Sequence, residues 1–183
     1  KMKWNPEEYK EWWTPKWYEA IAKGMFVKRD LKDGQMSRDM TLFVDDDGTP
    51  WMSWGNGTCF LVKLKPNMTE LDGNIEILKM PKFVEGPWIH KRENLYYLTY
   101  ASMGKGRETI SYATAPSMEG PWTYRGVLTG MAENSFTIHP GIIEFKGQNY
   151  LFYHNAILTI DGKSGATGRR SVCVDYLYYL PDG

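Results

Sequence analysis

Glu85 stands immediately before Gly86-Pro87-Trp88, and this placement is the strongest chemical signal in the chain. Glycine admits a positive φ and proline presets its own, so the pair predicts a turn that holds Glu85 at the mouth of a strand. A carboxyl fixed in this way can move a proton to or from a bound molecule. It donates at neutral pH only if burial or a neighbouring like charge raises its pKa. The plain alternative is a solvated carboxylate beside a hairpin. Asp39 follows Arg38 just ahead of an apolar run, and by itself reads equally well as a strand-start residue. His139 precedes Pro140, and Arg169-Arg170 precede the last apolar run. Asp45, Asp46 and Asp47 form an acidic triplet, but consecutive residues alternate faces and lack the spacing of an ion-binding loop, so they read as turn residues. Cys59 and Cys173 are too few for a disulfide framework, carry no metal-pair spacing, and read as free thiols on strands.

The elements that must position these groups repeat along the chain. Residues 85–101 run from an apolar strand through Lys91-Arg92-Glu93-Asn94 into the aromatic strand Leu95–Tyr100. The same unit appears around Asp45-Asp46-Asp47-Gly48 and around Lys146-Gly147-Gln148-Asn149. Trp54, Tyr100 and Tyr153 occupy matching points, 46 and 53 residues apart. Several short strands per repeat at such a period predict an all-β fold of β-propeller blades. Three blades are visible: strands near 39–45, 50–55, 58–64 and 74–79; near 86–92, 95–101, 107–114 and 120–128; and near 138–146, 149–155 and 169–179. Gly-Pro-Trp recurs at 86–88 and 120–122, which predicts turns repeated on one rim. Residues 1–35 differ. Pro6-Glu7-Glu8, five apolar or aromatic positions up to Ile21, and Gly24 predict a short helical or irregular N-terminal segment broken at Pro15, with the propeller domain at 36–183.

Composition narrows the partners. The 183 residues carry 22 basic and 22 acidic side chains, which gives no electrostatic case for nucleic acid or an anionic membrane. No apolar run approaches the 18 residues of a membrane-spanning helix. No signal peptide stands at the visible start, and localisation is left open. Eight tryptophans and twelve tyrosines suit either blade packing or a cleft in which flat ring faces stack on sugars. Asn56-Gly57-Thr58 and Asn67-Met68-Thr69 match the glycosylation triplet, a pattern that arises often by chance.

Four motifs in order carry a family resemblance: the Asp39-Met-Thr-Leu-Phe-Val-Asp-Asp-Asp-Gly stretch, Glu85-Gly-Pro-Trp-Ile-His-Lys-Arg with Tyr96-Tyr-Leu-Thr-Tyr, Thr137-Ile-His-Pro-Gly-Ile-Ile, and Thr167-Gly-Arg-Arg-Ser-Val-Cys-Val-Asp. Over residues 36–183 the chain resembles glycoside hydrolase family 43, five-bladed β-propeller arabinofuranosidases, xylosidases and arabinanases. The resemblance implies an inverting glycosidase acting on α-L-arabinofuranosyl or β-xylosyl linkages, with arabinose- or xylose-containing oligo- or polysaccharide as the partner. Glu85 then matches the general acid, and Asp39 the aspartate that orients it and supplies a like charge. His139 matches a histidine near the propeller axis that neighbours a central cation, often calcium. Arg170, with Arg169 as the second candidate, matches a pocket arginine, and Trp88 and Tyr100 fall where sugar-binding aromatics are expected. The family's general base is an aspartate on its first blade. No residue here sits in that motif, and neither Asp30 nor Asp33 has its context, so the resemblance places the missing blades N-terminal in the same polypeptide. A carbohydrate-binding propeller piece without catalysis is the alternative reading.

Overall fold

The computed structural model describes residues 38–159 and 170–181 of the chain. The expected helical segment at 1–35 and Arg169 lie outside the described residues. Among the described residues, eleven strands form three antiparallel sheets. The first sheet is β1 (Thr41–Val44), β2 (Pro50–Trp54), β3 (Cys59–Lys63) and β4 (Glu76–Leu78). The second is β5 (Phe83–Arg92), β6 (Leu95–Met103), β7 (Glu108–Ala115) and β8 (Thr123–Thr129), and the third is β9 (Gly141–Phe145), β10 (Gln148–Asn155) and β11 (Ser171–Leu177). Each sheet pairs its strands in chain order, the meander of a propeller blade.

The turn chemistry that predicted these hairpins is what closes them. Lys146 and Gly147 have φ of 52° and 76° between paired Phe145 and Gln148, the positive pair that a two-residue hairpin of matching twist requires. At the acidic triplet, the Gly48 amide donates to the Asp45 carbonyl and the Asp45 amide to the Thr49 carbonyl. The Asp45 carboxylate accepts from the Tyr96 hydroxyl at 2.6 Å and from Lys91 at 3.1 Å, so these aspartates make a turn and fasten the first blade to the second. Burial alone would raise the Asp45 carboxyl, but the bonds from Tyr96, the Asp46 amide and Lys91 outweigh it and hold it below the ordinary value.

The core lies between blades. Trp51, Cys59 and Leu61 of the first sheet meet Ile89, Leu98 and Tyr100 of the second, while Ile110 of the second sheet meets Ile142 and Leu151 of the third. The first strands of successive blades pack side by side, β1 on β5 and β5 on β9. The Thr41 hydroxyl donates to the Pro87 carbonyl at 2.7 Å, and the Trp88 indole N–H to the Ile142 carbonyl at 3.0 Å. These three strands therefore share direction, and the residues that lead into them converge at one rim. Cys59 is buried, with its thiol pushed up to about 12 by desolvation, and Cys173 is half-buried; neither forms a disulfide. On the outer strands, Leu42 and Val44 of β1 and Val172 and Val174 of β11 point to solvent.

Two expectations need correction. The two Gly-Pro-Trp triplets do not share a rim. The first lies within β5 and the second ahead of β8, and the pairing of Tyr96 with Ala115 and of Thr114 with Thr123 puts the second at the opposite end of the sheet. Nor does Gly86-Pro87 end a strand. β5 runs through it from Phe83, and the register shifts on both sides of Glu85 mark a bulge instead of a turn.

The far end of β5 holds His90, stacked on Tyr97 with ring centroids 4.9 Å apart and its Nε2 2.6 Å from the Tyr179 hydroxyl. Its Nδ1 is buried without a partner among the described residues, and burial pushes the imidazole down to about 4. Because the unfolded histidine titrates near 6.5, the fold favours the neutral ring. Its contribution to stability is complete above that pH and is lost as pH falls toward 4, by roughly 3 kcal/mol. Urea titrations at pH 7 and 4.5 are expected to show a smaller acid loss in His90→Gln than in the unsubstituted protein. Equal losses would mean that the ring charges freely in the folded state.

Candidate active site

The bulge in β5 determines where Glu85 points. Gly86 adopts φ +62°, and the extra residue turns the Glu85 side chain into the space between the three first strands, where the residue is only 8% exposed. Asp39 precedes β1 in a left-handed conformation, φ +52°, which aspartate tolerates better than most residues. It is kept there by the Gly55 amide donating to the Arg38 carbonyl and by the anchored Thr41 two residues on. His139 precedes β9, and Pro140 after it biases its backbone toward the extended form. Asp39, Glu85 and His139 thus come from the leads or opening residues of three successive blades, and their polar atoms all lie within 4.8 Å of one another.

Glu85 is engaged on both oxygens. Oε1 lies 3.0 Å from His139 Nε2, a bond that one proton can maintain from either side, and Oε2 accepts from Asn56 Nδ2 at 2.8 Å. Arg38 Nη1 stands 3.9 Å from Oε2 and half of its side chain is in water, so this ion pair adds little. Asn56 sits on the β2–β3 turn, docked where the Gly57 amide donates to the Val84 carbonyl at 2.7 Å. Its amide is therefore used inside the site, and a glycan on the Asn56-Gly57-Thr58 triplet would break the contact.

A further layer surrounds the histidine. His139 meets His154 edge to face, with ring centroids 5.8 Å apart, and His154 Nε2 lies 3.0 Å from the Thr137 hydroxyl. Desolvation first, and then the charges of Arg170 and His139, push His154 down to about 4. Glu108 on β7 is 2% exposed and accepts the Ile138 amide on Oε2 at 3.0 Å. Burial chiefly raises its carboxyl, and the Glu85 charge adds to this. Arg170 opens β11 on the same rim, exposed, with its charge felt at Glu108 and His154.

The two aromatic candidates are placed differently. Tyr100 is fully enclosed, and its hydroxyl donates to the Pro81 carbonyl at 3.0 Å, so it offers no ring face to a sugar. Trp88 is half-buried, with its indole N–H committed to β9 and its ring packed against the core between the second and third blades. Tyr100 packs toward the first blade and Trp88 toward the third, on opposite faces of the second sheet. Glu108 and His154 carried no signal in the sequence beyond their residue types, and Asn56 only the glycosylation triplet, which does not point to this site.

Asp39, Glu85 and His139 also form a group that could hold a metal ion. The donors suit calcium poorly. Calcium takes six to eight oxygen ligands, whereas this set has two carboxylates and a nitrogen already engaged with one of them. The carboxylate spacing bears on chemistry instead. Inverting glycosidases keep acid and base roughly 6.5–9.5 Å apart to admit water. Asp39 and Glu85 bring carboxylate oxygens within 4.8 Å of each other, closer than that acid–base spacing.

Residues 16–183 match the family model described as glycosyl hydrolases family 43. A β-D-galactofuranosidase of Aspergillus niger is 31% identical over 82% of this chain and 45% of its own length. A xylosidase/arabinosidase of Bacteroides ovatus is 36% identical over 56% of this chain and 29% of its own. Among solved structures, a β-xylosidase/α-arabinofuranosidase from a compost metagenome, in complex with xylotriose, superposes with a TM-score of 0.72 at 26% identity, over 82% of this chain and 57% of that one. An α-L-arabinofuranosidase of Clostridium thermocellum gives 0.64 at 29% identity, over 79% and 50%. The chain spans about half the length of these solved relatives and less than half of the curated ones.

Proposed function

The chain belongs to glycosyl hydrolases family 43, and from that premise we propose that it carries the acid half of an inverting glycosidase site for furanosyl or xylosyl linkages. The observation that carries this reading is Glu85, an enclosed carboxyl held on both oxygens at the convergence of three blades. Glu85 donates its proton to the leaving oxygen. Asn56 and His139 fix its orientation, so the proton is delivered along one direction and no search is needed at the moment of bond cleavage. Asp39, within 4.8 Å on the same side, orients the acid or the sugar hydroxyls beside it. Arg170 on the rim is a donor for a sugar hydroxyl or a carboxylate. The general base comes from further blades of the same polypeptide, and the solvent-facing Leu42, Val44, Val172 and Val174 are apolar surfaces against which such blades would pack. The calcium implied beside His139 enters no step, because that imidazole is engaged with Glu85.

The names of the relatives set the substrate panel: aryl α-L-arabinofuranoside, β-D-xyloside and β-D-galactofuranoside. The full-length protein containing this chain is expected to hydrolyse at least one of them with inversion at the anomeric carbon, read by NMR of the first-formed sugar. Asp39→Asn is expected to lower kcat on that substrate by about tenfold with an unchanged melting temperature. No turnover on any of the three would favour the reading of a carbohydrate-binding propeller.

A further inference from the structure

Glu108 lies on β7, two strands away from Glu85, and makes no hydrogen bond to Glu85 or His139 among the described residues. It nevertheless grips the segment that carries the histidine at two points. Its backbone N–H donates to the Phe136 carbonyl at 2.9 Å, and its carboxylate Oε2 accepts the Ile138 N–H at 3.0 Å. The three residues Phe136-Thr137-Ile138 are thus held as a strand partner would hold them, although no strand forms there. Between the two grips, the Thr137 hydroxyl meets His154, whose ring stands edge-on to His139. The next residue after the second grip is His139 itself, and Ile138 beneath it is 1% exposed in the core between the second and third blades.

A buried carboxylate is a costly way to satisfy one amide. Burying it is unfavourable unless the bond it makes fixes something of value. Here it fixes the segment leading directly into His139, whose Nε2 lies 3.0 Å from Glu85. The ring rests against Gly86 on one side, at 3.1–3.3 Å from where a Cβ would be, and against His154 on another.

We propose that Glu108 is a positioning residue for the proposed acid, acting through the Ile138 amide to hold His139 against Glu85. The inference rests on the reading of Glu85 as proton donor. Glu108→Met keeps the length of the side chain and removes the acceptor, and Glu108→Gln keeps an oxygen that can still accept the Ile138 N–H. In the full-length protein, Glu108→Met is expected to lower kcat about tenfold on a glycoside with a poor leaving group and much less on one with a good leaving group. KM should stay within about twofold, and Glu108→Gln should restore most of the loss. A purely structural role would lower the melting temperature in both variants and leave this leaving-group dependence flat.

A second readout does not depend on catalysis. The side-chain ¹⁵N resonances of His139, assigned with His139→Gln, should shift in Glu108→Met and stay in place in Glu108→Gln. Unmoved resonances in Glu108→Met overturn the proposal, as does equal loss of kcat in both variants. Should the methionine variant not fold, Glu108→Ala repeats both measurements. If Glu85→Gln itself proves indifferent to the leaving group while the His139 resonances move in Glu108→Met, the positioning stands and the assignment of the acid falls.

Discussion

Glu85→Gln is expected to lower kcat by about 10²–10⁴ on glycosides whose leaving group is a sugar alkoxide, the range that general acid catalysis supplies. The loss should shrink toward nothing on aryl glycosides with strongly electron-withdrawing substituents. The reason is chemical. A nitrophenolate departs without protonation, whereas a sugar alkoxide is too basic to leave unless a proton reaches its oxygen in the transition state. The glutamine amide preserves the shape of the side chain and can still meet Asn56 and His139, so the fold should be undisturbed. KM should change little, because the proton matters at bond cleavage more than in binding. The measurement is kcat and KM of the full-length protein on a series of leaving groups, beside its melting temperature. A loss of the same size across the series would remove Glu85 from the proton-donor role and leave it as a contact to the sugar.

The strands were legible because apolar and aromatic runs are separated by recognisable turns. Lys146-Gly147 could be read from residue preference alone, since a two-residue hairpin needs positive φ at both positions. Glu85 was marked locally by Gly86-Pro87, whereas Asp39 and His139 take a role only from the family resemblance. The residue pattern by itself does not give their convergence, which depends on β1, β5 and β9 packing side by side, a long-range fact with no local signature. The same limit applies to the aromatics. Trp88 and Tyr100 look alike as surplus rings, but which face of a strand meets the next blade is settled by register, and both were turned inward. Glu108 had no marker at all. It opens Glu108–Ala115 directly after the Gly104–Arg107 hairpin turn, where an acid reads as a solvated turn residue, and its role appears only when the Phe136–Ile138 segment is laid against it. The bulge at Gly86 is the instructive case. The residue types correctly predicted a positive φ, but an unbroken β5 converts that φ from the end of a strand into a twist within one.

That twist makes Gly86 the most sensitive position in the site that carries no functional group. An added methyl meets two obstacles at once. The φ of +62° disfavours any L side chain, at a cost of about 1–2 kcal/mol. The new Cβ would also stand 3.1 Å from Cγ and 3.3 Å from Nδ1 and Cδ2 of the His139 ring. Contacts that tight require one partner to yield. β5 is held by Trp88 to β9 and by Pro87 to Thr41, so the backbone is the less yielding of the two and the imidazole moves. The ring cannot retreat far, because His154 stands behind it at 5.8 Å between centroids, and the readiest motion is a slide that lengthens the 3.0 Å bond to Glu85. A misplacement near 1 Å at a proton donor costs on the order of 10²-fold in rate. Gly86→Ala is therefore expected to lose about that much kcat in the full-length protein, with a loss of stability no larger than the backbone strain. The pairing of the two numbers is the test. A variant that unfolds would show only that the bulge is structural. One that keeps both its melting temperature and its kcat would show that His139 can move without consequence, and that Glu85 does not need it.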